Sequence, residues 1–146
     1  MKKYKLEFDE NPSPQDVRFV IGNLIAFNDT RAEHEHYRSL TIFLRDIEGE
    51  IVGGLLGCTN WRWLFISHLW ISENLRGGGY GQKLIAAAEH EAVQRGCRHA
   101  HVDTFSFQAP GFYEKLGYRV FGTLEDYPEG HSRIFLQKRN LGTEAK

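Results

Sequence analysis

Residues Leu75 to Leu84 read LRGGGYGQKL, four glycines within five positions, and a helical pattern begins directly after them. Glycine tolerates left-handed backbone and lets another group approach the main chain, so successive N–H groups can converge on one point. At the start of a helix that point also carries the positive end of the helix dipole, and the chemistry implied is capture of an anion, a phosphate above all. Spacing narrows which phosphate. GGGYGQ lacks the third glycine of the dinucleotide fingerprint GxGxxG, and the chain holds no Gly-Lys pair of the kind a P-loop uses. The glycines alone leave a second reading open, a tight turn without a ligand.

Other chemistry-bearing residues have plainer readings. His34-x-His36 and His99-x-His101 are spaced like metal pairs, but neither has a third ligand at useful spacing, and no metal is expected. Cys58 and Cys97 lie far apart with no CxxC pair, which reads as free thiols in a reducing compartment. Eighteen Lys and Arg against nineteen Asp and Glu leave a formal net charge of -1. That balance provides no overall field for nucleic acid or an anionic membrane, and neither is expected as a partner. Trp61, Trp63 and Trp70 therefore read as core or rim residues. The start, MKKYKLEFDENPSP, lacks the apolar run of a signal peptide, so a cytoplasmic protein is expected, monomer or homodimer. A chain of 146 residues fits one domain, expected over 1–141, with GTEAK at 142–146 as a flexible tail.

These groups need a frame, and the hydrophobic periods supply one. YKLEF, Tyr4 to Phe8, alternates as a short strand. Ser13 then reads as a helix N-cap with Pro14 at the first helical position and Asp16 as capping partner, and Val17, Val20, Ile21, Leu24 and Ile25 follow at helical spacing. After the polar stretch Asn28 to Tyr37, RSLTIFLRD and EIVGGLLGCT form a hairpin around IEGE. WRWLFISHLWIS, Trp61 to Ser72, is too apolar for one face to meet water and reads as a central strand covered on both sides. Leu84, Ile85, Ala88 and Ala92 make the apolar stripe of the helix after the glycines, which Arg95 and Gly96 close. RHAHVDTF is a strand, APGFYEKLG a short helix, and YRVFGTL and SRIFLQKR are two strands around the loop EDYPEGH. The class is α/β with a mixed sheet, and the glycines stand at the carboxyl end of a strand, where such sheets bind ligands.

Within that frame Arg76-Gly77-Gly78-Gly79-Tyr80-Gly81, with the preceding LWI strand and SENL turn, resembles the (Arg/Gln)-x-x-Gly-x-(Gly/Ala) motif of the GNAT superfamily of N-acetyltransferases. In that family the motif holds the pyrophosphate of acetyl-CoA. QAPGFYEKLGY, Gln108 to Tyr118, resembles the second signature, a short helix carrying Phe-Tyr-x-x-x-Gly-(Phe/Tyr) beside the thioester. The likeness is specific from about Trp63 to Tyr118 and weak before Arg38. It implies a GNAT-like fold, a mixed and mostly antiparallel central sheet flanked by helices. It also implies an acyltransferase with acetyl-CoA as co-substrate and a primary amine, on a small molecule or a protein, as acceptor.

The resemblance carries roles onto single residues. It makes Leu69, Trp70 and Ile71 the strand end along which the pantetheine arm lies, with a backbone N–H near Leu69 or Ile71 polarising the thioester carbonyl. Arg76, Gly77, Gly78, Gly79, Tyr80, Gly81, Gln82 and Phe112 become cofactor-binding. Tyr113 matches the tyrosine that protonates the departing thiolate, and a phenol of ordinary pKa near ~10 holds its proton at neutral pH. The base is a departure from the family. Relatives carry Glu or His at positions that align with Phe65 and Ser67, neither of which takes a proton. His68 reaches the site if the strand bulges there, and is otherwise a core histidine on the opposite face. Glu33, Tyr37, Tyr127 and His131 are candidate acceptor-binding residues. The missing strand carboxylate keeps an alternative open, a non-catalytic acyl-CoA-binding sensor or partner-binding domain.

Overall fold

The computed structural model describes residues 3–143, and the chain divides after His34 into an N-terminal unit and a main unit that begins at Glu35. The expected tail falls in part, at 144–146, outside the described residues.

In the N-terminal unit α1 spans Pro14–Asp29. Ser13 caps it, its Oγ accepting from the Asp16 N–H at 3.1 Å, and Pro14 fills the first turn, where no N–H is missed. The strand expected at Tyr4 to Phe8 is not formed. Alternating hydrophobicity gives a segment two faces, but only a neighbouring chain satisfies its N–H and C=O groups as a strand, and these residues pair with no described residue.

The main unit runs β1 (Arg38–Arg45), β2 (Ile51–Asn60), β3 (Trp63–Ile71), a 3₁₀ turn (Glu73–Leu75), α2 (Tyr80–Gln94), β4 (His99–Phe105), α3 (Pro110–Lys115), β5 (Arg119–Glu125) and β6 (Ser132–Arg139). Sheet order is β1-β2-β3-β4-β6-β5. Every neighbouring pair is antiparallel except β3 and β4, whose parallel pairing requires the α2 crossover. Trp61 and Arg62, with φ of 45° and 65°, make the tight turn between β2 and β3.

The core lies between α2 and one face of the sheet. Leu55, Leu64, Ile66 and Leu136 from the strands meet Leu84, Ile85, Ala88 and Ala92 from α2, all buried. Each large aliphatic side chain so buried contributes roughly 1.5–3 kcal/mol. The two alanines let the helix axis approach the sheet. Polar ties fix its far end and side: Arg95 donates to Glu91, the Ser39 carbonyl and Thr59 Oγ1. Glu89 accepts from Tyr118 at 2.7 Å and Lys138 at 3.0 Å.

Two irregularities in β3 position everything that follows. Its pairing with β4 covers only Trp63–Ile66 against His99–Val102, and beyond that point the two strands part. At the same place its register against β2 slips, Ile66 facing Gly57 while His68 faces Leu56, so Ser67 is the extra residue of a β-bulge. Glycine at 57 permits it, because a Cβ there would collide with the Phe65 carbonyl oxygen. The bulge inverts the alternation: Leu64 and Ile66 face the core before it, Leu69 and Ile71 pack on the core after it, and His68 and Trp70 are exposed.

Candidate active site

β3 delivers the chain into the glycine turn. Leu75 N–H bonds the Ser72 carbonyl, Arg76 N–H the Glu73 carbonyl, and the Arg76 guanidinium reaches back to the Ile71 carbonyl at 3.1 Å. Gly77 and Gly79 then take φ of +84° and +83°, which a residue with Cβ adopts only with strain. Gly79 is the N-cap of α2, its carbonyl accepting from Lys83 N–H at 3.1 Å. The N–H groups of Gly77, Gly79, Tyr80, Gly81 and Gln82 donate to no described residue. A helix leaves its first N–H groups unpaired, and here the left-handed glycines add to them at the positive end of the dipole. No acidic side chain stands in the first turn. The arrangement suits an anion. Beside it, a cleft of about 440 Å³ is lined by Leu44, Arg45, Val52, Leu75 and Tyr80.

Gly81 joins this turn to the second motif. A Cβ at 81 would lie 3.1 Å from the Phe112 ring, so α3 packs closely on the start of α2, and a larger residue at 81 would press that ring aside by a few tenths of an ångström. Phe112 meets Tyr113 edge-on at 5.1 Å, and Tyr113 meets Tyr118 in the same way at 6.0 Å. Tyr113 is 8% exposed, and its hydroxyl bonds no described residue. No fully buried polar side-chain atom among the described residues lacks a partner, so this oxygen reaches solvent. Burial, and then the negative charge of Asp103, push its pKa up to about 12. The phenol is a held proton.

His68 stands on the bulge, exposed and outside the core. Its Nδ1 lies 2.9 Å from Ser67 Oγ, and Ser67 Oγ lies 3.0 Å from the Leu56 carbonyl oxygen. A hydroxyl has one proton, and a carbonyl only accepts, so Ser67 donates to Leu56 and accepts from Nδ1–H. Neutral His68 thus keeps its lone pair on Nε2.

The far wall of the opening is β4 and β6. Asp103, the first residue of β4 beyond the last pair with β3, is held by Arg133, whose Nε and Nη2 both donate to Oδ1 at 2.9 Å. Arg133 Nη1 donates to the Tyr127 hydroxyl at 3.0 Å, and its guanidinium lies over the rings of Phe105, Tyr127 and Phe135. Tyr127 and His131 are joined by the Tyr127 N–H bond to the His131 carbonyl, and His131 meets Phe107 edge-on at 5.1 Å.

The structure thus brings the glycine turn, Phe112 and Tyr113 to one end of α2, and joins Tyr127 to His131. It sets Tyr37 elsewhere, at the start of β1 and beside Cys58, on the end of the strands where β3 begins. Glu33 belongs to the N-terminal unit. Of the four histidines in the two His-x-His pairs, His34 bonds Asp29, His99 Nδ1 accepts from Asn140 N–H, and His101 stacks on Phe65 at 4.7 Å. Burial lowers the pKa of His99 and His101. No group that could hold a metal ion occurs among the described residues. Both cysteines are free. Sequence reasoning missed Asp103 and Arg133, although the alternation of RHAHVDTF puts Asp103 on the face of His101.

Comparison with known proteins adds independent findings. A family model described as the Acetyltransferase (GNAT) family matches residues 5–118. A blasticidin-S acetyltransferase from Streptomyces morookaense is 45% identical over 91 residues, 62% of this chain and 67% of that protein. An acetyltransferase from Agrobacterium fabrum is 38% identical over 116 residues, 80% of this chain and 85% of that one. The crystal structure of an acetyltransferase from Bacillus cereus superposes with a TM-score of 0.81 at 35% identity, covering 91% of this chain and 97% of that one.

Proposed function

The chain belongs to the GNAT family of acetyltransferases and is an acyltransferase, and from that premise we propose that it moves an acetyl group from acetyl-CoA directly to a primary amine. The observation that carries this reading is the set of unpaired N–H groups of Gly77, Gly79, Tyr80, Gly81 and Gln82, at the end of a strand that has just parted from its neighbour. The first feature suits a pyrophosphate. The second leaves the β4-facing backbone groups of Ser67 to Ile71 without a partner strand, and an amide-bearing arm satisfies such groups by pairing as a strand does. Leu69, Trp70 and Ile71 flank that arm in this reading, and Arg76, Gly78, Tyr80 and Phe112 shape the turn around the phosphates.

The chemistry follows from the neighbours. The acceptor nitrogen attacks the thioester carbonyl carbon, and a strand N–H near Leu69 or Ile71 steadies the oxyanion. His68 Nε2 takes the proton that the nitrogen sheds. The carbon–sulfur bond then breaks, and Tyr113 gives its proton to the thiolate, leaving N-acetylated product, free thiol, a His68 imidazolium and a Tyr113 phenolate, and proton exchange with solvent returns both side chains to their neutral forms. A phenol raised to about 12 is fully protonated at neutral pH and so has an O–H to offer the departing sulfur. Tyr127 and His131 bound the acceptor in this reading. The enzyme is cytoplasmic in this reading, and no helix among the described residues is long and apolar enough to cross a membrane.

The acceptor is a small molecule or a peptide, and blasticidin S is the first amine to assay because of the acetyltransferase that is 45% identical. The test is thiol release from acetyl-CoA over a panel of primary amines, with acetyl-CoA binding followed separately by calorimetry. Binding without thiol release on any amine would sink the transfer reading.

A further inference from the structure

β4 loses β3 after Val102 but remains paired with β6 as far as Phe105 against Arg133. Asp103 and Phe105 therefore border the opening in which transfer is proposed, on one face of the strand and roughly 7 Å apart along it. From Phe105 outward that border is aromatic. Phe105 and Phe107 stack at 5.4 Å with 16° between their planes, Phe105 and Tyr127 lie 5.7 Å apart, and His131 braces Phe107 from its edge. The Arg133 guanidinium, 5.1 Å from the Tyr127 ring and 5.8 Å from that of Phe105, ties the group together.

Two of these rings are nonetheless open to solvent, Phe107 at 55% and Tyr127 at 43% exposure. Large aromatic surface that is both pinned by neighbours and exposed is ready to bind, since little freedom remains to be lost when a ligand covers it. Its floor is electrically neutral, because the carboxylate of Asp103 is matched by Arg133. Beside that matched pair the border offers flat apolar surface, with the exposed carboxylates of Asp126 and Glu129 in the same loop as Tyr127. We propose that the acceptor is a primary amine bearing a flat aromatic or heteroaromatic ring, and that Phe107 and Tyr127 are the surface on which the ring rests. This rests on the acetyl-transfer reading above and names the substrate class of the same site.

Two amines of equal chain length and similar bulk isolate flatness: 2-phenylethylamine and 2-cyclohexylethylamine. A stacked ring changes affinity by roughly two- to twelvefold, so kcat/KM for thiol release from acetyl-CoA is expected to be about fivefold higher for the phenyl compound. Phe107→Ala removes exposed surface rather than core, and it should bring the ratio near one while calorimetric affinity for acetyl-CoA stays as in the parent. Phe107→Trp should keep the preference. Equal kcat/KM for the two amines on the parent, or an undiminished ratio in Phe107→Ala, overturns the proposal and leaves the transfer reading standing. A parent that binds acetyl-CoA but releases no thiol with any amine overturns both.

Discussion

At the scale of single residues, the surroundings of His68 and Tyr113 suit the two proton roles proposed for them. Ser67 commits its proton to Leu56 and so turns the basic nitrogen of neutral His68 outward. Tyr113 keeps its proton because burial and Asp103 oppose a phenolate. At saturating acetyl-CoA, His68→Gln should lower kcat by roughly 10²-fold, because the amide keeps a polar group at that place but cannot take a proton. An unchanged kcat in the variant would make His68 a bystander. Tyr113→Phe preserves the edge contacts to Phe112 and Tyr118. Its kcat should fall roughly 10²-fold while acetyl-CoA affinity stays within a few-fold, because only a transferable proton is removed. Equal kcat would reduce Tyr113 to packing. The sequence singles out both residues, Tyr113 through its motif and His68 as the one titratable side chain between Arg62 and Glu73. Asp103 was not, since its meaning depends on Arg133, thirty positions later.

At the scale of elements, β3 shows why sequence patterns stop short of a site. Its existence and central place follow from a long apolar run, but its bulge depends on Gly57 in the neighbouring strand, which no period within β3 reports. The opposite error occurs at Tyr4 to Phe8, where alternation is present and a partner strand is not. Straightening β3 would exchange the faces of His68 and Leu69, turning an imidazole into the core and a leucine out of it. Gly57→Ala tests this coupling, because the added Cβ meets the Phe65 carbonyl. Stability should drop by about 1–3 kcal/mol, visible as a lower calorimetric melting temperature, and kcat should fall at temperatures where the variant remains folded. A variant that melts with the parent and turns over at the parent's rate would show that the bulge does not need glycine and that His68 keeps its position without it.

Across the whole molecule, the order of elements from Arg38 onward was readable because each helix and strand keeps its own hydrophobic period, and because one parallel pair demands one crossover helix. The packing that results has a global consequence through Tyr113, which lies at the joint of α3, the start of α2 and the sheet core. Below pH 10 its phenol is protonated in folded and unfolded chains alike and adds nothing to pH dependence. Between about pH 10 and the folded value of about 12 the unfolded chain has lost that proton and the folded chain still binds it. The unfolded state then binds fewer protons, so stability falls as pH rises, by about 1.4 kcal/mol per pH unit for this one group. Tyr113→Phe removes the titration and keeps the ring. Urea unfolding of both proteins at pH 8 and pH 11.5 should therefore show the variant gaining about 2 kcal/mol on the parent between the two conditions. A stability difference that stays constant over that interval would mean the Tyr113 hydroxyl is not held in a buried setting, and the held proton assigned to thiolate release would lose its physical basis.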